Sequence, residues 1–439
     1  MPVPHLRARR VLPCGSIIAG AIIVALVLGA CGGTAVPTGT AGSTASPARD
    51  AGWVADLERL VSAREEFHPD PWHGIARDEY VGAVRSVTER VPELTDAQLL
   101  VETVRLAAMP TWAGRDGHGG IHPWGEGEHD AHLYPLRLYA FADGIFVVDA
   151  LPPYRDLIGD ELTHIGGHPA ADVLAAVEPL VPRDNHMQVL SHGPRLMVTA
   201  EILAGLGLID DPALPLPFAF EGGGQLPVAP VPMTAYERWA GGHFTLTLPP
   251  RPAGAAWLSR LEEASWFEWR PDTGTLYIQY NVVMGRMPSA IDEVERRLTE
   301  GDLERIIVDV RHNGGGDNTT YAGFVRVLTT ADASGVPVYL VVGRQTFSAA
   351  GNFVTELEQT TGAILVGEDL GASPNQYGDA ITVPLEHSGL IFRVAPRWMV
   401  ASDPDDPRVT IEPDIRIELT SDDYFGDADP VLDAILRDS

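Results

Sequence analysis

Two turns in the C-terminal half of the chain carry residues that are suited to nucleophilic catalysis. Gly314, Gly315 and Gly316 follow one apolar segment, and Ser348 follows the next apolar segment and opens a helical pattern. If these segments are neighbouring parallel strands, both turns lie at the sheet edge where ligands bind. The serine hydroxyl then faces unobstructed backbone N–H groups, which are the parts of a nucleophile with an oxyanion hole. A serine N-cap beside a tight glycine turn gives the same spacing, so both interpretations stand at this point.

Strand and helix signals alternate through the region that must position these turns. Apolar segments typical of buried strands cover residues 276–280, 305–310, 336–342 and 364–366, with helical patterns at 291–298, at 319–328 and after Ser348. Such alternation predicts parallel strands with helical crossovers, and therefore an α/β fold.

The segments around the two turns resemble the tail-specific and tricorn-core serine peptidases. The resemblance covers roughly residues 245–435 and rests on residues 309–316 (DVRHNGGG), 346–350 (TFSAA), 366–368 (VGE) and 412–415 (EPDI). It implies a crotonase/Clp-like peptidase core with a mixed, largely parallel sheet. It also implies that Ser348 is the nucleophile and that backbone N–H groups of Gly314, Gly315 and Ala349 bind the oxyanion.

The general base is the next residue to assign. Some members of this family use a Ser-Lys dyad and others use a histidine, but all 31 basic residues of this chain are arginines. Residues 115–119 (RDGHG) resemble the Asp-Gly-His-Thr segment that supplies the histidine in the second group. The resemblance therefore assigns His118 as the base, and a histidine pKa near neutrality suits that role.

A third residue that orients the imidazole is less clearly marked. Tricorn-like members use a serine beside the histidine and a distant glutamate, but Gly117 occupies the serine position. The distant acid falls in the acidic loop of residues 403–406, where we predict Asp406. Asp116 is an alternative, and a solvated loop is the other interpretation of Asp406. The chain also has Gly351 and Asn352 where many tail-specific enzymes have glutamate after Ser-Ala-Ala, and Gly119 where threonine is usual.

One cluster has side chains that can bind metal ions. Glu126, Glu128, His129 and His132 lie close together in the sequence, but their spacing fits no zinc signature and is typical of an exposed loop. We predict no metal and no cofactor.

The N-terminus predicts export and lipid attachment. Arg7, Arg9 and Arg10 precede an apolar run over residues 17–30, which ends in small residues before Cys31. This pattern is that of a secretory signal peptide, and its end resembles the lipobox of bacterial lipoproteins. The run is shorter than the roughly 20 residues of a spanning helix. Residues 1–30 are then the signal peptide, and residues 31–50, rich in Gly, Ser, Thr, Ala and Pro, are a flexible tether.

The remaining sequence divides into three predicted parts. Residues 51–112 have helical periodicity and form a small helical domain. Residues 113–244 form a β-containing middle region with the His118 segment and, at residues 160–167, a pattern like a PDZ module. Residues 245–439 form the peptidase core. The net charge of -29 repels phosphate backbones, excludes a nucleic-acid partner and favours neutral or basic substrates.

Two functions from different classes fit these features. The first is a serine endopeptidase at the cell membrane or envelope, acting on peptides or proteins through an acyl-enzyme on Ser348. The alternative is a non-catalytic lipoprotein that binds a peptide or an apolar ligand, as the resembling retinoid-binding proteins of vertebrates do on this fold.

Lipid attachment at Cys31 can be tested by replacing its thiol. The variant Cys31→Ser cannot form the thioether to diacylglycerol, so we expect it to move from the detergent-rich to the aqueous phase in detergent phase separation. Cys14→Ser, which changes the other cysteine, is the matched control and should partition like the parent. Parental partitioning of Cys31→Ser would contradict the lipobox.

Overall fold

The computed structural model describes residues 46–123, 131–240, 248–251 and 254–437. Cys31, the predicted signal peptide and most of the tether lie outside these residues, as do Glu126, Glu128 and His129. No helix in the described part of the chain is long and apolar enough to cross a membrane.

Three helices open the described chain: α1 (Pro47–Phe67), α2 (Arg77–Arg90) and α3 (Asp96–Ala108). The start of α3 is a capping box, as its sequence predicts, because the Thr95 side chain accepts from the Gln98 N–H and the Gln98 side chain accepts from the Thr95 N–H. Leu57, Leu99 and Val104 are fully buried and join α1 and α3 to one hydrophobic core. The end of α3 leads into the segment that carries His118.

Short strands and helices make up the middle of the chain. They are β1 (Gly120–Ile121), β2 (His132–Leu133), β3 (Leu136–Phe141), β4 (Gly144–Ala150), β5 (Leu162–Ile165), β6 (His168–Pro169), α4 (Ala170–Val177), α5 (Met187–Leu196), α6 (Ala200–Gly205), β7 (Leu216–Phe220), β8 (Gln225–Val228), β9 (Val231–Pro232) and α7 (Met233–Ala240). A four-stranded sheet has the order β6-β5-β7-β8. The segment with the PDZ-like pattern is β5 with the turn Gly166 and Gly167, both of which have positive φ. Its assignment as a PDZ module remains a prediction.

The C-terminal elements follow the predicted alternation of strands and helices. They are α8 (Ala256–Ser259), β10 (Ser265–Arg270), β11 (Thr275–Tyr280), α9 (Pro288–Glu300), β12 (Arg305–Asp309), α10 (Ala322–Ala333), β13 (Val338–Val342), α11 (Ala349–Thr360), β14 (Ile364–Gly367), β15 (Asn375–Gly378), β16 (Ile381–Pro384), β17 (Ile391–Val394), β18 (Arg397–Val400), β19 (Ile415–Arg416), α12 (Ser421–Phe425) and α13 (Pro430–Arg437).

A six-stranded sheet with the order β10-β11-β12-β13-β14-β19 forms the centre of this region. Only β10 is antiparallel to its neighbour, so the predicted mixed, largely parallel sheet with helical crossovers is confirmed. β12 and β13 are adjacent, with Ile306 opposite Val338 and Asp309 opposite Val341. The glycine turn and the Ser348 turn follow these two strands and therefore lie at the same edge of the sheet.

Alternate residues of these strands enter two different cores, as the two-residue period of a strand requires. Ile306 and Val308 face the core formed with α9, α10 and α11. Ile307 and Tyr339 face the core formed with α13. Because both faces of the sheet are covered, the strands are continuous apolar runs in the sequence.

Replacing Phe353 tests how α11, the helix that follows Ser348, packs against the core. The Phe353 ring is fully buried in α11 and stacks on Phe324, with 5.7 Å between the ring centroids. We expect Phe353→Ala to lower the free energy of unfolding by about 3–5 kcal/mol, measured by urea denaturation. Leu214→Ala, at a residue that is 58% exposed, is the control and should change stability little. A Phe353→Ala protein as stable as the parent would contradict this packing.

Candidate active site

Ser348 lies between the end of β13 and the start of α11, with a strained backbone. Its φ of 55° and ψ of -126° are unusual for a residue with a side chain, and such strain persists only where the surroundings fix it. The Thr346 hydroxyl donates to the Val310 carbonyl (2.9 Å) and accepts from the Gly343 N–H (3.1 Å). The Phe347 N–H donates to the Asn313 carbonyl (3.1 Å). These bonds hold the serine turn against the glycine turn.

The glycine turn can approach Ser348 because Gly315 has no side chain. A Cβ on Gly315, whose φ is 107°, would lie 2.7 Å from Ser348 Cβ and 2.9 Å from the Ala349 nitrogen. Asn313 fixes the turn: its Nδ2 donates to the Tyr280 carbonyl (2.8 Å) and its Oδ1 accepts from the Gly315 N–H (2.9 Å).

This bond corrects the predicted set of oxyanion donors. The Gly315 N–H is already engaged by Asn313, so it cannot bind an oxyanion without losing that bond. The Ala349 N–H is the first of α11 and has no helical partner. The Gly314 N–H forms no hydrogen bond with other described residues. Gly314 and Ala349 therefore remain the predicted donors.

The structure brings His118 into hydrogen-bonding contact with Ser348. His118 Nε2 lies 2.8 Å from Ser348 Oγ. The imidazole stacks on the Phe347 ring, with 4.4 Å between the centroids and 30° between the planes. If the hydroxyl donates to a neutral imidazole, the ring proton is on Nδ1, which is the arrangement of a base with its nucleophile.

Burial keeps this imidazole neutral. It lowers the pKa of His118 to about 4, although the charge of Asp116 and the Tyr377 backbone act in the opposite direction. The expectation of a pKa near neutrality is thus corrected, because a sequence does not show how deeply a histidine lies. Among the described residues, no side chain accepts a hydrogen bond from Nδ1.

Asp406 does not reach the imidazole, which corrects its predicted role. Its carboxylate accepts from the Ser402 hydroxyl (2.7 Å) and from the Arg408 guanidinium (2.8 Å). The hydrogen bonds from Arg408 hold the pKa of Asp406 far below its usual range. Arg408 also pairs with Glu358 on α11. A local ion pair therefore satisfies this acid.

Asp116, the alternative acid, also forms no hydrogen bond with His118. It is fully buried, with Oδ2 3.0 Å from Arg64 Nη2 and 3.4 Å from His68 Nε2. Burial alone would raise the pKa of Asp116, but the hydrogen bond from His68 and the charge of Arg64 hold it below its usual value. Asp116 acts on His118 through its charge and not through a hydrogen bond.

His68, His73 and Asp116 form the group of described residues that could hold a metal ion, with candidate ligand atoms within 4.8 Å of one another. The geometry does not fit a cation. His68 Nδ1 accepts from the Asp70 N–H (3.1 Å), so in the neutral ring the proton is on Nε2, which faces Asp116. The His68 and His73 rings are stacked at 13°, so their in-plane lone pairs cannot converge. The charge of Arg64 further opposes a cation.

The sequence analysis missed Asp184, which supports the His118 segment. Its buried carboxylate accepts from the Gly117 N–H (2.6 Å) through Oδ1 and from the Ser373 N–H (2.9 Å) through Oδ2. Both donors are backbone groups distant in the sequence, so no pattern of residue types marks this acid.

No family model and no curated protein matches this chain. Several solved structures are similar to it. A CPAF mutant has a TM-score of 0.60 and 13% identity over 89% of this chain and 97% of its own. Mature CPAF complexed with lactacystin has a TM-score of 0.56 and 14% identity over 88% and 98%. The photosystem II D1 C-terminal processing protease has a TM-score of 0.39 and 12% identity over 88% and 97%.

The chain therefore has the fold of CPAF along most of its length. The predicted resemblance to tail-specific peptidases is confirmed at the level of the fold.

The environment of His118 can be tested by a titration that needs no substrate. In a protein with isotope-labelled histidine, we expect the His118 ring signals to titrate with a midpoint near pH 4, because burial disfavours the charged ring. The spectrum of His118→Asn assigns the signals. A midpoint close to the ordinary value of about 6.5 would contradict the burial of this imidazole.

Proposed function

We propose that this protein is a serine peptidase that cleaves peptides or proteins through an acyl-enzyme on Ser348, with His118 as general base. The observation that carries this proposal is the 2.8 Å separation of His118 Nε2 and Ser348 Oγ at the carboxyl edge of the parallel sheet. The absence of lysine from the chain excludes the Ser-Lys alternative.

The reaction follows from the position of each group. As the Ser348 oxygen bonds to the substrate carbonyl carbon, its proton passes to His118 Nε2. The carbonyl oxygen becomes an oxyanion, which the Gly314 and Ala349 N–H groups can stabilise. Collapse breaks the C–N bond, and the imidazolium gives its proton to the leaving amine. Water then attacks the acyl-enzyme, losing a proton to His118, which returns it to the serine oxygen as the acid product leaves.

In this mechanism the imidazole has no acid hydrogen-bonded to Nδ1 among the residues that the structure describes. The Phe347 ring and the Tyr377 backbone, rather than a carboxylate, hold the ring in place. Because the pKa of His118 is lowered to about 4, its neutral, proton-accepting form predominates above about pH 5. Protonation of the base should therefore reduce activity as the pH falls through about 4.

A cleft beside Ser348 suits an extended peptide. It has a volume of about 400 Å³ and lies between α11 and β18. Asn352, whose N–H donates to the Ser348 carbonyl (3.0 Å), lines it one helical turn from the serine. Glu356 adds a carboxylate, and Val400, which is 51% exposed, adds an apolar surface. Arg397 also lines the cleft, but it is paired with Asp379, so Glu356 and the net charge of -29 favour neutral or basic peptide segments.

We also propose that the protein acts outside the cytoplasm, attached to a membrane through lipid on Cys31. The sequence of residues 1–31 supports this, with its arginines, its apolar run and the small residues before the cysteine.

The central test removes each reacting group. We expect Ser348→Ala and His118→Ala each to lower kcat/KM for a peptide substrate by on the order of 10⁴-fold or more, and the double variant to be little worse, because the residues act as one unit. Ser289→Ala and His164→Ala, the latter at an exposed residue of β5, are matched controls away from the site and should keep parental activity. Circular dichroism verifies folding.

Two results would contradict the mechanism. Near-parental turnover in folded Ser348→Ala would exclude the acyl-enzyme, and near-parental turnover in folded His118→Ala would move the base elsewhere. A parent that binds peptides without cleaving them would instead support the non-catalytic alternative.

A further inference from the structure

Asp184 is a fully buried carboxylate between α4 and α5, and it contacts both halves of the active site. It is not one of the reacting groups. Each of its oxygens accepts one backbone N–H, and the two donors belong to segments 67 and 189 residues away. The carboxylate is thus a bridge between distant parts of the chain.

The first side of the bridge holds the turn that carries His118. The Gly117 N–H donates to Asp184 Oδ1 (2.6 Å), and the Arg115 N–H donates to the Asp184 carbonyl (3.2 Å). The Gln188 side chain accepts the Asp184 N–H and packs against Gly117, where a Cβ would lie 2.4 Å from Gln188 Oε1. The residue directly before His118 therefore has little freedom to move.

The second side of the bridge holds a segment that lies on the Ser348 turn. The Ser373 N–H donates to Asp184 Oδ2 (2.9 Å), and the adjacent Ala372 N–H donates to the Thr346 carbonyl (3.2 Å). A Cβ on Gly351 would lie 2.4 Å from Ala372 Cβ, so this segment also packs closely on α11. This contact leaves no room at Gly351 for the glutamate that many tail-specific enzymes have after Ser-Ala-Ala.

We propose that Asp184 is the positioning residue of this site, and that its ionised carboxylate fixes the His118 turn relative to the Ser348 turn. This role rests on the proposed function, because it matters only if the two side chains react together. An ionised carboxylate can accept both N–H groups, in hydrogen bonds strengthened by its charge. A protonated carboxyl carries a hydrogen on one oxygen, which makes that oxygen a poorer acceptor and weakens one of the two bonds.

The burial of Asp184 places its ionisation in the neutral range. Burial raises the pKa of Asp184 to about 7, and the nearby charge of Asp116 acts in the same direction. The N–H groups of Ser373 and Gly117 and the charge of Arg115 oppose the increase. Since the ionised form makes both bonds, reactivity of Ser348 should rise as the pH increases through about 7. This step is separate from the titration of His118 near pH 4.

The experiment measures how fast a fluorophosphonate inactivates the full-length protein between about pH 5 and about pH 9. For the parent, we expect the rate constant to rise with a midpoint near 7. For Asp184→Asn, whose amide cannot accept two N–H groups on separate oxygens, we expect that step to vanish and the rate at high pH to fall about 10- to 100-fold. Asp149→Asn is the control, because burial also raises the pKa of Asp149, on β4.

Asp184→Glu keeps a carboxylate and should retain a pH-dependent step in that range, which separates ionisation from loss of fold. Folded Asp184→Asn with the parental rate and the parental step would overturn the proposal.

A second readout needs no reaction at Ser348. The amide proton signals of Gly117 and Ser373 should shift together with a midpoint near pH 7 in the parent and should not do so in Asp184→Asn. Amide signals that do not titrate would overturn the proposal. Amide signals that titrate in a protein that no fluorophosphonate labels would support the bridge while contradicting the serine peptidase function.

Discussion

The contact between Ser348 Oγ and His118 Nε2 joins side chains that are 230 residues apart in the sequence. A serine hydroxyl is a weak nucleophile until a base lies within hydrogen-bonding distance, so every element near the site must contribute to this one separation. The parallel sheet brings the serine turn and the glycine turn to one edge. The His118 segment comes from a different part of the chain, after α3, and needs its own fixed attachment to that edge.

Three kinds of interaction hold the His118 segment and the two turns in place. The His118 ring stacks on Phe347, the residue directly before Ser348, and this contact fixes the imidazole next to the serine. The Asp184 carboxylate accepts N–H groups from the segments on either side. Asn313 ties the glycine turn to β11 through the Tyr280 carbonyl. A strained φ at Ser348 persists because its surroundings are fixed in this way, and strain of this kind is common where a nucleophile must be presented on a sharp turn.

The sequence predicted those features that local pattern or motif determines. The central strands were predictable because both faces of the sheet are buried and the strands read as apolar runs. Ser348 and His118 were found through motifs. Residue type alone could not have found His118, because the chain has fourteen histidines. Whether β12 and β13 are neighbours stayed open in the sequence, because strand order depends on contacts between distant segments, and the structure shows that they are paired.

The incorrect site predictions concern hydrogen-bond partners that only the three-dimensional structure determines. Asp406 was chosen for its place in an acidic loop, but Arg408, two residues further on, binds its carboxylate. Gly315 was chosen as an oxyanion donor, but the Asn313 side chain takes its N–H. Asp184 could not be found, because its partners are backbone groups that no residue type marks. The lowered pKa of His118 was missed for a similar reason, since it results from burial.

The most direct measurement is to locate a covalent adduct. After reaction of the protein with a fluorophosphonate, tandem mass spectrometry of the digested protein identifies the modified residue. We expect the adduct on Ser348 alone in the parent, and almost none after the same reaction time in His118→Ala, because the hydroxyl then lacks its base. An adduct on another residue, or equal labelling of Ser348 without His118, would contradict a serine nucleophile activated by this histidine.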